Sequence, residues 1–263
     1  MKKKLLFVTV AFLSLAVNGF AQSISIPYVK DGITYSWGTR TWTQTPGGST
    51  LKKKSLNVIN VVEIDWDAPE ILDFSSPPLP DELPGYFLTN FVEKACRHNQ
   101  VVKELKRSYV PNPGGEHTWE PYNVYVSIQA FYNCQNLEKV DLSMRGHYNQ
   151  WNVDSAAFQI IRSEAFAKCK SLSEVHLTAS EIEEKAFANC TALQRMYVHH
   201  PNLGMANLFT VKVDPSSFEG VDVSKIQLYV PKKEVDDYRS HPIWGAFDVL
   251  PMDMGYYGET SAT

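Results

Sequence analysis

The chain has no excess of positive charge: 25 Lys and Arg stand against 29 Asp and Glu, for a net charge of −4. A protein that wraps a phosphate backbone needs the opposite balance, so nucleic acid is not expected as a partner. Cysteine is scarce, with four in 263 residues. The even count still invites a disulfide reading, with three pairings open, and it is the repeat spacing below that argues against it. Apolar runs of membrane-spanning length are missing too, since nothing after residue 21 approaches the roughly 20 residues a spanning helix needs. No zinc-protease pair, phosphate-binding loop, dinucleotide fingerprint or nucleophile elbow is present, which removes the commonest enzymatic readings. What remains is an ordinary globular composition, 44% hydrophobic and 12% aromatic, able to bury one large core or two small ones.

Met1 to Ala21 reads as a secretory signal peptide. Lys2, Lys3 and Lys4 form the positive start, Leu5 to Val17 the apolar stretch, and Gly19-Phe20-Ala21 the small-residue cleavage signal. Cleavage is expected at Ala21-Gln22. Removing three lysines from the 25 basic residues leaves 22 against 29 acidic ones, a net of −7. The mature chain is therefore expected to be secreted, periplasmic or on the cell surface, with no membrane span.

Self-comparison gives the strongest internal signal. Ile128-x-Ala130-Phe131-x-x-Cys134-x-x-Leu137-x-x-Val140-x-Leu142 recurs as Ala165-Phe166-x-x-Cys169-x-x-Leu172-x-x-Val175-x-Leu177. It returns as Ala186-Phe187-x-x-Cys190-x-x-Leu193-x-x-Met196-x-Val198. A looser copy has Ser217-Phe218-x-x-Val221 followed by Ile226-x-Leu228, and the stretch around Val102, Leu105 and Arg107 fits in part. The Ala-Phe-x-x-Cys part suits a short helical turn, and Val-x-Leu alternates as a strand with one buried face does. One such unit cannot close a core alone, so successive units must stack on a shared interior. The expected structural residues are Phe131, Cys134, Phe166, Cys169, Phe187, Cys190 and Phe218. Cys134, Cys169 and Cys190 share one repeat position and read as a column of buried, reduced thiols. A Cys169–Cys190 disulfide is the competing reading, because neighbouring coils stand at strand spacing.

These residues resemble the BspA-like leucine-rich repeats of exported bacterial surface proteins, from Ile128 to about Met252. The resemblance implies an α/β solenoid, a right-handed coil of short strands and helical turns, and a role in adhesion to host proteins such as extracellular-matrix components. The expected division is a signal peptide (1–21), an N-terminal β region acting as a cap (22–70), the repeats (71–228), a C-terminal cap (229–252) and a tail (253–263). The clear copies span 128–142, 161–177 and 182–198, and the looser one 213–230. Leu228-Tyr229-Val230-Pro231-Lys232, then Val235, Tyr238, Trp244 and Phe247, resembles that family's closing strand and capping helix.

Outside the repeats, Asp31-Gly32 marks a hairpin turn in the N-terminal region and Val58 to Ile64 reads as a strand. Phe87 to Arg97 reads as a helix and Val101 to Val110 as a strand after it.

The residue between the two buried positions of each strand points outward, so Asp141, His176, Tyr197 and Gln227 are expected to form one exposed row, a surface of the kind on which repeat proteins bind. His147, Tyr148 and Trp151 lie in the insertion beside it and form a candidate flanking contact. Asp65-x-Asp67 and Glu181, Glu183 and Glu184 read as solvated charge. Cys96-x-His98 lacks a second half for zinc, and His199-His200 on a strand point to opposite faces, so no metal site and no cofactor are expected. The leading expectation is a non-enzymatic recognition or adhesion protein with a host or envelope protein as ligand. The alternative is a carbohydrate-binding accessory module, suggested by Trp37, Trp42 and Trp66, whose indoles suit sugar stacking when exposed.

Overall fold

In a computed structural model, the described residues are 21–24, 28–44, 52–74, 87–107, 125–143, 159–199 and 211–252. The first 20 residues, the insertion bearing His147, Tyr148 and Trp151, His200 and the tail from 253 lie outside them.

The N-terminal region is antiparallel. β1 (Ala21–Ile24) and β2 (Tyr28–Lys30) both pair with β3 (Ile33–Gln44), which pairs along its length with β4 (Lys52–Ile64). The β2–β3 turn is Asp31-Gly32, both at positive φ, as the tight turns matched to strand twist require. A Cβ on Gly32 would meet the Ala68 backbone nitrogen and Asp67 Oδ1 at 2.6 Å, so Asp67 packs against the hairpin.

After β4 the chain alternates between two sheets, and every pairing is parallel. β5 (Ile71–Asp73) lies in the second sheet and β6 (Phe87–Phe91) in the first, beside β4. β7 (Glu104–Lys106), β8 (Tyr125–Val126), β9 (Lys139–Leu142), β10 (Gln159–Ile161), β11 (Glu174–Leu177), β12 (Ala179–Ile182), β13 (Arg195–Val198) and β14 (Lys212–Val213) continue the alternation. β15 (Gln227–Pro231) and β16 (Asp248–Met252) end the second sheet side by side, with the short helix α1 (Val235–Ser240) between them in sequence. Tyr238 and Trp244 are buried there, and Trp244 Nε1 donates to the Val211 carbonyl at 3.2 Å.

Between the sheets runs one apolar core. Phe131, Phe166, Phe187 and Phe218 stack with centroids 5.3, 5.4 and 5.6 Å apart. Phe91 meets Phe131 edge-on at 5.2 Å at one end, and Phe247 meets Phe218 at 5.1 Å at the other. Cys134, Cys169 and Cys190 are buried and unbridged, and each Sγ donates to a carbonyl of the preceding coil: Cys96, Phe131 and Phe166 respectively.

The Ala-Phe segments are not helical. Two residues of each turn sit in the left-handed region, such as Gln129 and Asn133, Glu164 and Lys168, and Lys185 and Asn189. Alternate N–H groups then point along the stack: Phe131, Phe166 and Phe187 donate to Ala165, Ala186 and Ser217 of the next coil at 2.8 Å. The residues between them, such as Ala130 and Tyr132, donate three residues back within the turn. An α-helix would use these groups internally and leave the coils unlinked at this edge.

The same geometry corrects the helix expected over 87–97. Phe87–Phe91 is strand β6, and residues 93–98 form a turn run with Lys94 and His98 at positive φ. The strand expected over 101–110 is limited to Glu104–Lys106, with 108–110 outside the described residues. That coil is in register with the clear copies: Cys96 N donates to Ala130 O, and Leu105 pairs with Val140. Asn99 replaces the column cysteine. Its Nδ2 donates to the Ile64 and Asp65 carbonyls, and its Oδ1 accepts from the Val101 and Val102 N–H groups, tying the first coil to the end of β4.

Candidate functional site

Strand register in the second sheet sets two outward rows. Glu104, Lys139, Glu174, Arg195, Gln227 and Asp248 form one; Lys106, Asp141, His176, Tyr197, Tyr229 and Leu250 form the other. Asp141, His176 and Tyr197 are therefore direct neighbours across β9, β11 and β13, as the repeat alignment predicts. Gln227 is not in their row. It pairs with Arg195, and Tyr229 takes the place beside Tyr197. The buried pair of the last copy is Leu228-x-Val230, ten residues after Phe218 where the other copies have nine, because the 3-10 turn Val223–Lys225 adds one residue. Ile226-x-Leu228 begins two residues too early, since Ile226 is buried ahead of the strand.

The row is a ring stack. Tyr197 lies 4.1 Å from His176 and 4.6 Å from Tyr229, with planes within 5° and 8°. Each face of Tyr197 is thus covered by a neighbour, which leaves the ring edges of the half-buried Tyr197 and Tyr229 as their accessible part. His176 is 8% exposed, not the solvent-facing residue expected from the strand alternation. Tyr197 covers one face, Glu174 Oε1 accepts from Nε2 at 3.0 Å, and Nδ1 meets His199 Nε2 at 3.2 Å. Asp141 is half-buried and accepts from the Ser143 N–H at 3.0 Å and from its hydroxyl at 2.5 Å.

Glu174 organises the charged row. Lys139 Nζ lies 2.6 Å from Oε1 and Arg195 Nε 2.9 Å from Oε2. Burial works against the carboxylate, yet the hydrogen bonds from Lys139, His176 and Arg195 hold its pKa down to about 2. The sequence reading does not single out Glu174, Lys139 or Arg195, sets His199 aside as one of a pair with His200, and gives Tyr229 only a place in the closing strand. The period-two pattern Lys139-x-Asp141, Glu174-x-His176 and Arg195-x-Tyr197 carried the signal for the first three.

The remaining candidates are placed as follows. Glu183 is half-buried, forming an ion pair with Arg162 and accepting from the Ser163 N–H at 3.0 Å, so it is a structural tie and not free charge. Glu181 pairs with Lys212 at 2.6 Å. His98 is bonded to Asn133, and Cys96 is buried. Trp66 is 81% exposed, between the exposed Asp65 and Asp67. Among the described residues no group of three or more His, Cys, Asp or Glu is arranged to hold a metal ion. No helix of the described residues is long and apolar enough to cross a membrane.

Compared with models of known families, residues 120–228 match the BspA type leucine rich repeat region, in six copies. The chain carries a BspA-type leucine-rich repeat region. Neither the curated proteins nor the solved structures give a match. The BspA-type match contains Asp141, His176, Tyr197 and Gln227, and it ends one residue before Tyr229. A leucine-rich repeat region points in general to protein interaction or adhesion, and the family is typically non-enzymatic.

Proposed function

We propose that this is an exported, non-enzymatic recognition protein: a leucine-rich-repeat solenoid that binds a host or envelope protein through the outward face of its second sheet. One observation carries the reading, the contiguous row Asp141, His176, Tyr197 and Tyr229 across four neighbouring strands. Its rings are stacked face to face with His176 buried among them, so what it offers a partner is the edges and hydroxyls of Tyr197 and Tyr229 over a rigid sheet. Such a line suits the backbone and polar side chains of a protein, at low entropic cost because the rings are already held in place. Export rests on the Met1–Ala21 pattern and on the surface or secreted setting common to the family.

Trp66 supports a second reading, carbohydrate binding, because its 81% exposure leaves an indole open to a sugar ring. The Tyr197 row does not serve that purpose, since its inner ring faces are already occupied.

The test is a binding panel of purified extracellular-matrix proteins, envelope proteins and glycans, run with residues 22–263 and with Tyr197→Ser/Tyr229→Ser and Trp66→Ala variants. Loss of protein binding in the tyrosine variant alone supports the reading. Glycan binding abolished by Trp66→Ala, with no protein ligand, replaces it with the second.

A further inference from the structure

His199 is dismissed as a metal ligand when paired with its sequence neighbour, but the fold gives it a different partner. His176 from β11 and His199, just beyond β13, bring Nδ1 and Nε2 to 3.2 Å, with ring centroids 5.4 Å apart and planes within 14°. Two imidazole nitrogens bound to one tetrahedral ion at about 2.0–2.1 Å stand about 3.3 Å apart. The native separation thus fits a shared proton and a shared ion equally well.

The tautomer favours coordination. Glu174, bridged by Lys139 and Arg195, places Oε1 3.0 Å from Nε2 of His176 and accepts its hydrogen. Nδ1 is then the lone-pair nitrogen and accepts the hydrogen of His199 Nε2, so a bound ion replaces that hydrogen and His199 takes the tautomer with its hydrogen on Nδ1. A carboxylate that fixes a histidine from behind is the arrangement that orients imidazole ligands in metal sites. Tyr197, stacked at 4.1 Å, holds the ring in place. His199 is partly exposed, so water reaches its ring.

We propose that His176 Nδ1 and His199 Nε2 form a two-imidazole site for a divalent transition ion such as zinc(II) or copper(II), oriented by Glu174. Imidazole donors select such ions over magnesium or calcium, which take oxygen ligands. Because two protein ligands leave most of the coordination sphere to water, the affinity is modest and falls as protons compete. This site does not depend on the protein-recognition reading, and metal alone tests it.

The experiment is zinc(II) titration of residues 22–263 by calorimetry at pH 7.5, with imidazole nitrogen shifts followed by NMR. One equivalent is expected to bind, with the His176 Nδ1 and His199 Nε2 resonances moving. His199→Gln is expected to weaken binding at least about tenfold, and Glu174→Gln about tenfold or more. Tyr229→Phe and His200→Gln are expected to leave it unchanged. His176→Gln alters a buried ring, so the partly exposed His199 decides if that variant does not fold. Absence of saturable binding, binding that survives His199→Gln, or loss confined to His200→Gln each overturns the proposal.

Discussion

The rings of His176 and Tyr197 lie 4.1 Å apart with planes 5° from parallel, and the residues are register partners on adjacent parallel strands. This contact makes an outward-facing tyrosine structural as well as exposed. Tyr197→Ala removes ring contacts on both sides, each worth about 0.5–1.5 kcal/mol, and uncovers His176. A loss of about 1–2 kcal/mol in urea unfolding is expected, whereas Tyr197→Phe, which keeps the stack, stays within about 0.5 kcal/mol of the parent.

Glu234, just before α1, is buried with no hydrogen-bond partner for either carboxylate oxygen among the described residues, and burial together with nearby Asp237 raises its pKa to about 7. A raised carboxylate pKa favours the folded state while the group is protonated in both states, below about pH 4.5. That contribution is lost as pH rises from about 4.5 through 7, where the unfolded chain ionises first. Glu234→Gln removes the pH-dependent part. Its melting temperature is expected to exceed the parent's at pH 8 and to converge with it near pH 4, and a constant difference across this range contradicts the assignment.

All four cysteines are buried, and burial raises the pKa of Cys96, Cys169 and Cys190, the last to about 12, whereas hydrogen bonding to Cys169 and Cys96 lowers that of Cys134 to about 5. The three raised thiols resist oxidation by their protonation, and Cys134 by its burial alone. The native protein is expected to react with no equivalents of a thiol reagent within minutes. In guanidinium without reductant it should react with four. A count of two would show one disulfide and contradict the column of reduced thiols.

Gly220 continues the left-handed column of His98, Asn133, Lys168 and Asn189, at φ 76°, and a Cβ there meets Asn189 Oδ1 at 2.6 Å. Gly220→Ala is expected to cost about 1–2 kcal/mol in chemical denaturation. A neutral result would show that the turn relaxes freely.

How much was readable in advance follows from where the repeat keeps its count. Phe131, Phe166 and Phe187 share identical spacing to cysteine, leucine and a valine or methionine, so their column could be drawn from the sequence. In the last copy the extra residue near Val223 breaks that count, and the buried Ile226 ahead of the strand imitates its first inward residue, which puts Gln227 where Tyr229 belongs. The first coil was obscured because Cys96, Asn99 and Arg107 stand where later copies carry phenylalanine, cysteine and leucine. The turn was misread as helical because a three-residue spacing gathers side chains on one side in either conformation. Only backbone geometry reveals the left-handed residues that free Phe131 N–H for the next coil. His176 with His199 was hidden because a contact 23 residues apart across strands leaves no local pattern.

Hydrogen exchange at single amides tests most directly whether the coils are stacked and linked along the turn edge. The N–H groups of Phe131, Phe166 and Phe187, each bonded to the next coil, are expected to exchange as slowly as those of Val140, Val175 and Met196 in the second sheet. Exchange of the three phenylalanine amides at the rate of exposed loops, with the strands still protected, would contradict the account.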